Sequence, residues 1–166
     1  MNAYYSYDHL ELEGVEGCIS YYEVSEEGYY LRSVTNHNDC WTNSYIEIRD
    51  QEFFLPETLL EEEDKGFLNE ISHEEFLDQW SQSKMLYEEH WAVFKKELGD
   101  QVEGEIVCFY PQGVMVYLGS SFYGLADYNQ CLSVLSREKM SPGTVARFKV
   151  EGVDEENFLV NLTSLV

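Results

Sequence analysis

The chain has 166 residues, 44% of them hydrophobic, with 13 Tyr, 9 Phe and 3 Trp. That is enough apolar surface for one domain or two small ones, and it excludes an acidic disordered chain. Ten Lys and Arg face 32 Asp and Glu, a net of −22, so most of the surface repels nucleic-acid phosphate and attracts basic proteins.

The charge is uneven. Residues 1–98 carry 23 acidic and 6 basic side chains, a net of −17, whereas residues 99–166 carry 9 and 4, a net of −5. This asymmetry predicts two domains with different surfaces, an acidic one over 1–99 and a second over 100–166. No apolar run approaches the roughly 18 residues of a membrane span. MNAYYSYDHLELEG lacks the basic start and apolar middle of a signal peptide, which points to the cytoplasm. Cys18, Cys40, Cys108 and Cys131 are widely spaced and form no C-x-x-C pair, the pattern of reduced thiols in a cytosolic protein.

Residues 1–16 show no clear period. GCISYYEV, SEEG and YYLRSVT, from Gly17 onward, read as a β-hairpin around a loop containing Gly28. Asn36 to Asn43 reads as a polar loop, and Ser44 to Arg49 alternates polar and apolar as a third strand. Phe53-Phe54-Leu55 is stopped by Pro56, and Glu57 to Asp64 reads as a short helix with Pro56 in its first turn. Ser72 and Glu75 form a capping box. Phe76, Trp80, Tyr87, Trp91, Phe94 and Leu98 then share one face of a helix that Gly99 closes. At about 26 residues it is roughly 39 Å long, either bent near Ser81–Ser83 or serving as the joint between domains.

Five strands follow: Val102–Phe109, Gly113–Leu118, Phe122–Ala126, Thr144–Val153 and Phe158–Leu162. Asp127 to Met140 is a longer connection with one helical turn. The predicted fold is an α+β domain, a small antiparallel sheet with a long helix, followed by an all-β five-stranded barrel of the OB type.

From Val102 to the C-terminus the chain resembles the S-one-type RNA-binding domain. The resemblance rests on Gly104-x-Ile106, Gly113-Val114-Met115-Val116-x-Leu118, Gly124-Leu125, Pro142-Gly143-Thr144-Val145, Val153-Asp154 and Asn161-Leu162. The family stacks RNA bases on two aromatics and beside a histidine, at positions that here hold Gln112, Met115 and Asp127. Such stacking is worth roughly 1–3 kcal/mol per base. Phe109, Tyr117, Phe122 and Tyr123 remain nearby, as barrel core or as exposed rings. Arg147 and Lys149 are expected on the outer face of the fourth barrel strand. The N-terminal part more weakly resembles small acidic domains found beside bacterial toxin genes, some thought to be immunity proteins. That resemblance rests on its Tyr-rich hairpin and on His73-Glu74-Glu75-Phe76 leading to Trp80.

Residues for chemistry are few. His73-Glu74-Glu75-Phe76-Leu77 starts like a zinc-protease helix but has Leu77 where a second His is required. His37-Asn38-Asp39-Cys40 offers three ligand types without a matching second half, so it reads as a polar turn. Glu61-Glu62-Glu63-Asp64 lacks calcium-loop spacing and suits a solvated face or the contact surface for a basic partner. The expectation is a non-enzyme without cofactor or metal. It neutralises a basic protein, most concretely as an immunity protein for a bacterial nuclease toxin. Trp41, Tyr45 and Phe54 are its candidate anchors, and Glu61, Glu62, Glu63 and Asp64 its carboxylates. The alternative is a single-stranded RNA adaptor acting through the barrel, with Phe109, Gln112, Met115, Tyr117, Phe122, Asp127, Arg147 and Lys149 as contacts. An enzyme with dispersed carboxylates is a third, weaker possibility.

Overall fold

A computed structural model describes residues 1–9, 16–48 and 55–165. The chain divides into two compact units, Met1–Ser44 with Phe53–Leu86, and Tyr45–Glu52 with Tyr87–Val166. No helix among the described residues is long and apolar enough to cross a membrane.

The first unit is a five-stranded antiparallel sheet with one helix. Strands β1 (Ala3–Asp8), β2 (Cys18–Val24), β3 (Tyr30–His37), β4 (Cys40–Asn43) and β5 (Asn69–Glu70) lie in the order β4-β3-β2-β1-β5. The predicted hairpin is β2–β3, closed through the Ser25–Gly28 turn. Helix α1 (His73–Lys84) buries Phe76, Trp80 and Ser83, and Ser72 Oγ accepts from the Glu75 N–H at 3.1 Å, as the capping pattern predicts. Glu23 and Arg32 face each other across β2–β3, and Arg32 Nε donates to Glu23 Oε2 at 2.5 Å. Both side chains are buried, and the guanidinium lies 5.1 Å from the Phe76 ring centre and 5.0 Å from that of Trp80. The aromatic faces take up a charge that water cannot reach.

Three local expectations are corrected. The third strand is Cys40–Asn43 and not Ser44–Arg49. Asn38 and Asp39 take φ of +52° and +62° and make a two-residue hairpin turn of the kind these residues favour. Ser44–Glu47 is turn and bend and Ile48 is 3-10 helical: Glu47 sits at φ +55°, which breaks an extended path, and Tyr45, Ile46 and Ile48 are all buried where a strand would alternate them. Glu57–Asp64 is not a helix. The Leu60 N–H donates to Gly28 O at 2.9 Å, away from any i−4 carbonyl, and only Asp64–Phe67 forms a 3-10 turn. The long helix is two segments, α1 and α2 (Glu88–Glu97), with a 3-10 turn at Met85–Tyr87 between them. Ser83 Oγ donates to Trp80 O at 2.7 Å, a side-chain-to-backbone bond of the sort that bends helices. Arg49, Phe53 and Phe54 lie outside the described residues.

The second unit is a closed barrel of β6 (Gln101–Tyr110), β7 (Gly113–Gly119), β8 (Phe122–Ala126), β9 (Val145–Asp154) and β10 (Leu159–Ser164), in the order β10-β8-β7-β6-β9. β8 and β10 pair in parallel and every other neighbour is antiparallel. With helix α3 (Tyr128–Leu135) between β8 and β9, this is an OB-like topology. The glycines permit close approach inside it. A Cβ on Gly124 would stand 2.2 Å from Leu162 Cδ1, and one on Gly104 2.4 Å from Val116 Cγ1. The core joins Ile106, Val114, Val116, Phe122, Phe148, Val160 and Leu162 to Ile46, Trp91 and Phe94. Those last three explain why the second unit takes in a segment from residue 45 and the helix α2, and why the units do not part at Gly99.

Candidate functional site

The barrel rim of the second unit is occupied by the chain's own residues. Tyr45 is 4% exposed, its ring centre lies 5.9 Å from that of Tyr110, and its hydroxyl accepts from Gln112 Nε2 at 2.8 Å. Ile46 enters the barrel core. The Glu47 N–H donates to Ser121 O at 3.0 Å. The Glu47 carboxylate accepts from Ser121 Oγ and from the Tyr87 hydroxyl, each at 2.7 Å. Burial, then the adjoining Glu47 carboxylate, push the Tyr87 phenol well above its ordinary range. Residues 45–48 thus form a strap across the β6–β7 and β7–β8 turns. Three hydrogen bonds compensate for the positive φ of Glu47, a conformation costing about 1–3 kcal/mol.

The candidate RNA contacts fare unevenly. Phe122 is fully buried among Tyr87, Trp91, Phe94 and Phe158: it is core and not a ligand platform. Met115 is also fully buried, so it presents nothing to a base. Gln112 is tied to Tyr45. Asp127 Oδ1 accepts from the Gln130 N–H at 2.8 Å and caps α3, which is a structural reason for a carboxylate there. Tyr117 is half-buried against Tyr123, and Tyr123 is fully buried without belonging to the barrel-interior cluster. The face of strands two and three, where OB folds take oligonucleotides, is therefore largely closed. Phe109 is 39% exposed, edge-on to Tyr128, which is 43% exposed. Arg147 and Lys149 are exposed on β9, as their alternation predicts, and Lys149 pairs with Glu151 at 3.0 Å. Glu103 stands opposite Arg147 in the β6–β9 register, so little positive field remains.

In the first unit, folding joins two acidic stretches far apart in sequence. The Leu60–Gly28 bond sets Glu61 and Glu62 beside Glu26 and Glu27 around an open concavity of ≈ 390 Å³. Ala3, Tyr5, Val24, Leu59 and Leu60 contribute its apolar lining. Glu61, Glu62, Glu63 and Asp64 are all exposed. Lys65 bonds Glu62, and the Met1 amine bonds Glu26. Arg32 is buried and offsets none of this surface charge. Phe67, at the end of the acidic run, is 76% exposed. Trp41 is half-buried, its indole N–H donating to Gln79 Oε1 at 3.0 Å. The expected anchors are thus redistributed: Tyr45 is buried in the second unit, Phe54 lies outside the described residues, and Phe67 is the exposed ring beside the carboxylates. Sequence reasoning missed Glu26, Glu27 and Phe67. The acidic Ser25–Gly28 turn was visible, but nothing local indicated which other segment it meets.

The thiols are free. Burial holds Cys108 up to about 12 and, with Asp127 adding to it, Cys131 up to about 11, so both stay protonated and unreactive at neutral pH. Among the described residues no group of three or more His, Cys, Asp or Glu is placed to hold a metal ion.

No protein-family model matches the chain, and no curated protein matches it. Similar solved structures include the uncharacterized protein MJ1198 from Methanocaldococcus jannaschii, at 16% identity and a TM-score of 0.34, over 40% of this chain and 89% of that one. GSP13 from Bacillus subtilis is similar at 24% identity and a TM-score of 0.34, over 40% of this chain and 54% of its own.

Proposed function

We propose that the protein is a non-enzymatic, cytoplasmic binding protein whose acidic first unit neutralises a basic protein partner, most concretely as an immunity protein for a bacterial nuclease toxin. The observation that carries this reading is the meeting of the Glu26–Glu27 turn with Glu61–Glu62 over a partly apolar concavity. A Lys or Arg stem lies along the apolar lining while its head reaches the rim carboxylates, and Phe67 supplies an adjacent aromatic contact. The net charge of −22 steers the encounter and speeds association. In a nuclease, the groove that holds phosphate is the natural target for such a surface, so inhibition is steric and electrostatic.

The alternative, single-stranded RNA binding by the barrel, is favoured by the OB-like topology and the exposed Phe109–Tyr128 pair. The strap over Gln112 and the burial of Met115 weigh against it. A native pull-down at low salt with the full chain separates the two. The account expects recovery of a basic protein by the wild type and its loss with E61Q/E62Q/E63Q/D64N. Recovery of RNA, or of no basic protein, overturns it.

A further inference from the structure

The second unit carries a groove that the strap does not fill. It runs along α2 beside the β7–β8 turn, has a volume of ≈ 290 Å³, and is lined by Glu89, His90, Val93, Phe94, Glu97 and Ser120. Val93 is 55% exposed, an aliphatic side chain left in water at the centre of the strip. Glu89 and Glu97 stand four residues to either side of it, both exposed, and neither forms an ion pair among the described residues. Lys95, by contrast, is engaged by Glu155. Lys96 is exposed on the same helix but does not line the groove. The far wall is a strained turn, with Ser120 at φ +54° and Ser121 at +73°. These non-glycine residues are held in a left-handed conformation that persists only where the surroundings enforce it. Through Ser121 the turn is clamped by Glu47, so the groove is preformed.

Eight residues of helix place the two carboxylates about 12 Å apart along the axis. That repeat suits a second helix laid along α2, with one apolar side chain on Val93 and cations about two turns apart facing Glu89 and Glu97. We infer that the α2 strip is a docking site for a basic amphipathic helix of the partner, separate from the acidic turns of the first unit. This rests on the reading that the partner is a basic protein. The strip accepts a helix, whereas the concavity at the acidic turns accepts a single Lys or Arg side chain.

The test uses the full chain and a labelled, alanine-rich helical peptide with a central Leu flanked at four residues on each side by Arg. A control peptide of the same composition is broken by Pro. Fluorescence anisotropy at low salt compares the wild type with Val93→Glu, with E89Q/E97Q and with E61Q/E62Q/E63Q/D64N. All substitutions are at exposed positions, and circular dichroism verifies the fold. The expected result is tighter binding of the helical peptide than of the control. Each α2 variant then weakens it about tenfold, and the first-unit variant leaves that preference intact. If the α2 variants bind like the wild type while the first-unit variant loses binding, the α2 site is wrong and the basic-partner reading stands. If both peptides bind equally well, the attraction is diffuse and the α2 site is wrong. If the wild type binds neither peptide, both readings fall.

Discussion

Truncating Ile46 to Ala removes the side chain by which the strap enters the barrel core. Ile46 is 2% exposed and shares a core with Ile106, Val114, Val116 and Phe122. Removing buried aliphatic carbons from such a site costs about 2–5 kcal/mol, and near-complete burial places this one at about 3 kcal/mol. At about 1.4 kcal/mol per factor of ten, that is a loss of roughly a hundredfold in the protection of the slowest barrel amides. Hydrogen exchange followed by mass spectrometry on β6, β7 and β8 reads this directly. The tyrosine and glutamate bonds to Gln112, Ser121 and Tyr87 hold the flanks of the strap in place, so the cavity does not collapse away the penalty. Unchanged protection in those strands, with loss confined to residues near 46, refutes the assignment of the strap to the barrel unit.

Replacing Arg32 by Ala leaves Glu23 buried without the cation that Phe76 and Trp80 cover; the expected cost is about 3–5 kcal/mol, read as a lower urea midpoint of the first unit. Gly124→Ala drives a methyl onto Leu162 at 2.2 Å, and overpacking of this kind costs about 1–3 kcal/mol, measurable as a lower thermal midpoint. Cys131 ionises in the unfolded chain near 9 and in the folded one at about 11. The unfolded state therefore loses the proton first, and stability present below pH 9 is lost as pH rises toward 11. Denaturant midpoints across that window fall less steeply in Cys131→Ser than in the wild type.

The β2–β3 hairpin, the five barrel strands and the helix cap were legible in the sequence because their signals are local, whereas β1, β4 and β5 were not read as strands. Gly113 and Gly119 bracket β7, Pro111-Gln112 makes the turn before it, and Ser72 with Glu75 opens α1. Ser44–Ile48 was not, because its alternation matches a strand as well as it matches a strap. What decides between them is Gln112 and Ser121, more than sixty residues away. Glu57–Asp64 has helical composition, yet a single bond from Leu60 to Gly28 pulls it out of that conformation. The same bond creates the acidic concavity, which is why Glu61 and Glu62 were legible as a charged run while their neighbours Glu26 and Glu27 were not. At the barrel, the substitutions at Gln112, Met115 and Asp127 could be read as a lost RNA surface. Their present roles, in the strap for Gln112, as a buried side chain for Met115 and as a helix cap for Asp127, required the structure.

The most direct test of the basic-partner account is the affinity of the recovered basic protein for the full chain and for E61Q/E62Q/E63Q/D64N, measured across ionic strength. The account predicts tight binding at low salt that weakens steeply as salt rises, and about tenfold weaker binding by the variant at low salt. Equal affinities for the two proteins, insensitive to salt, contradict it.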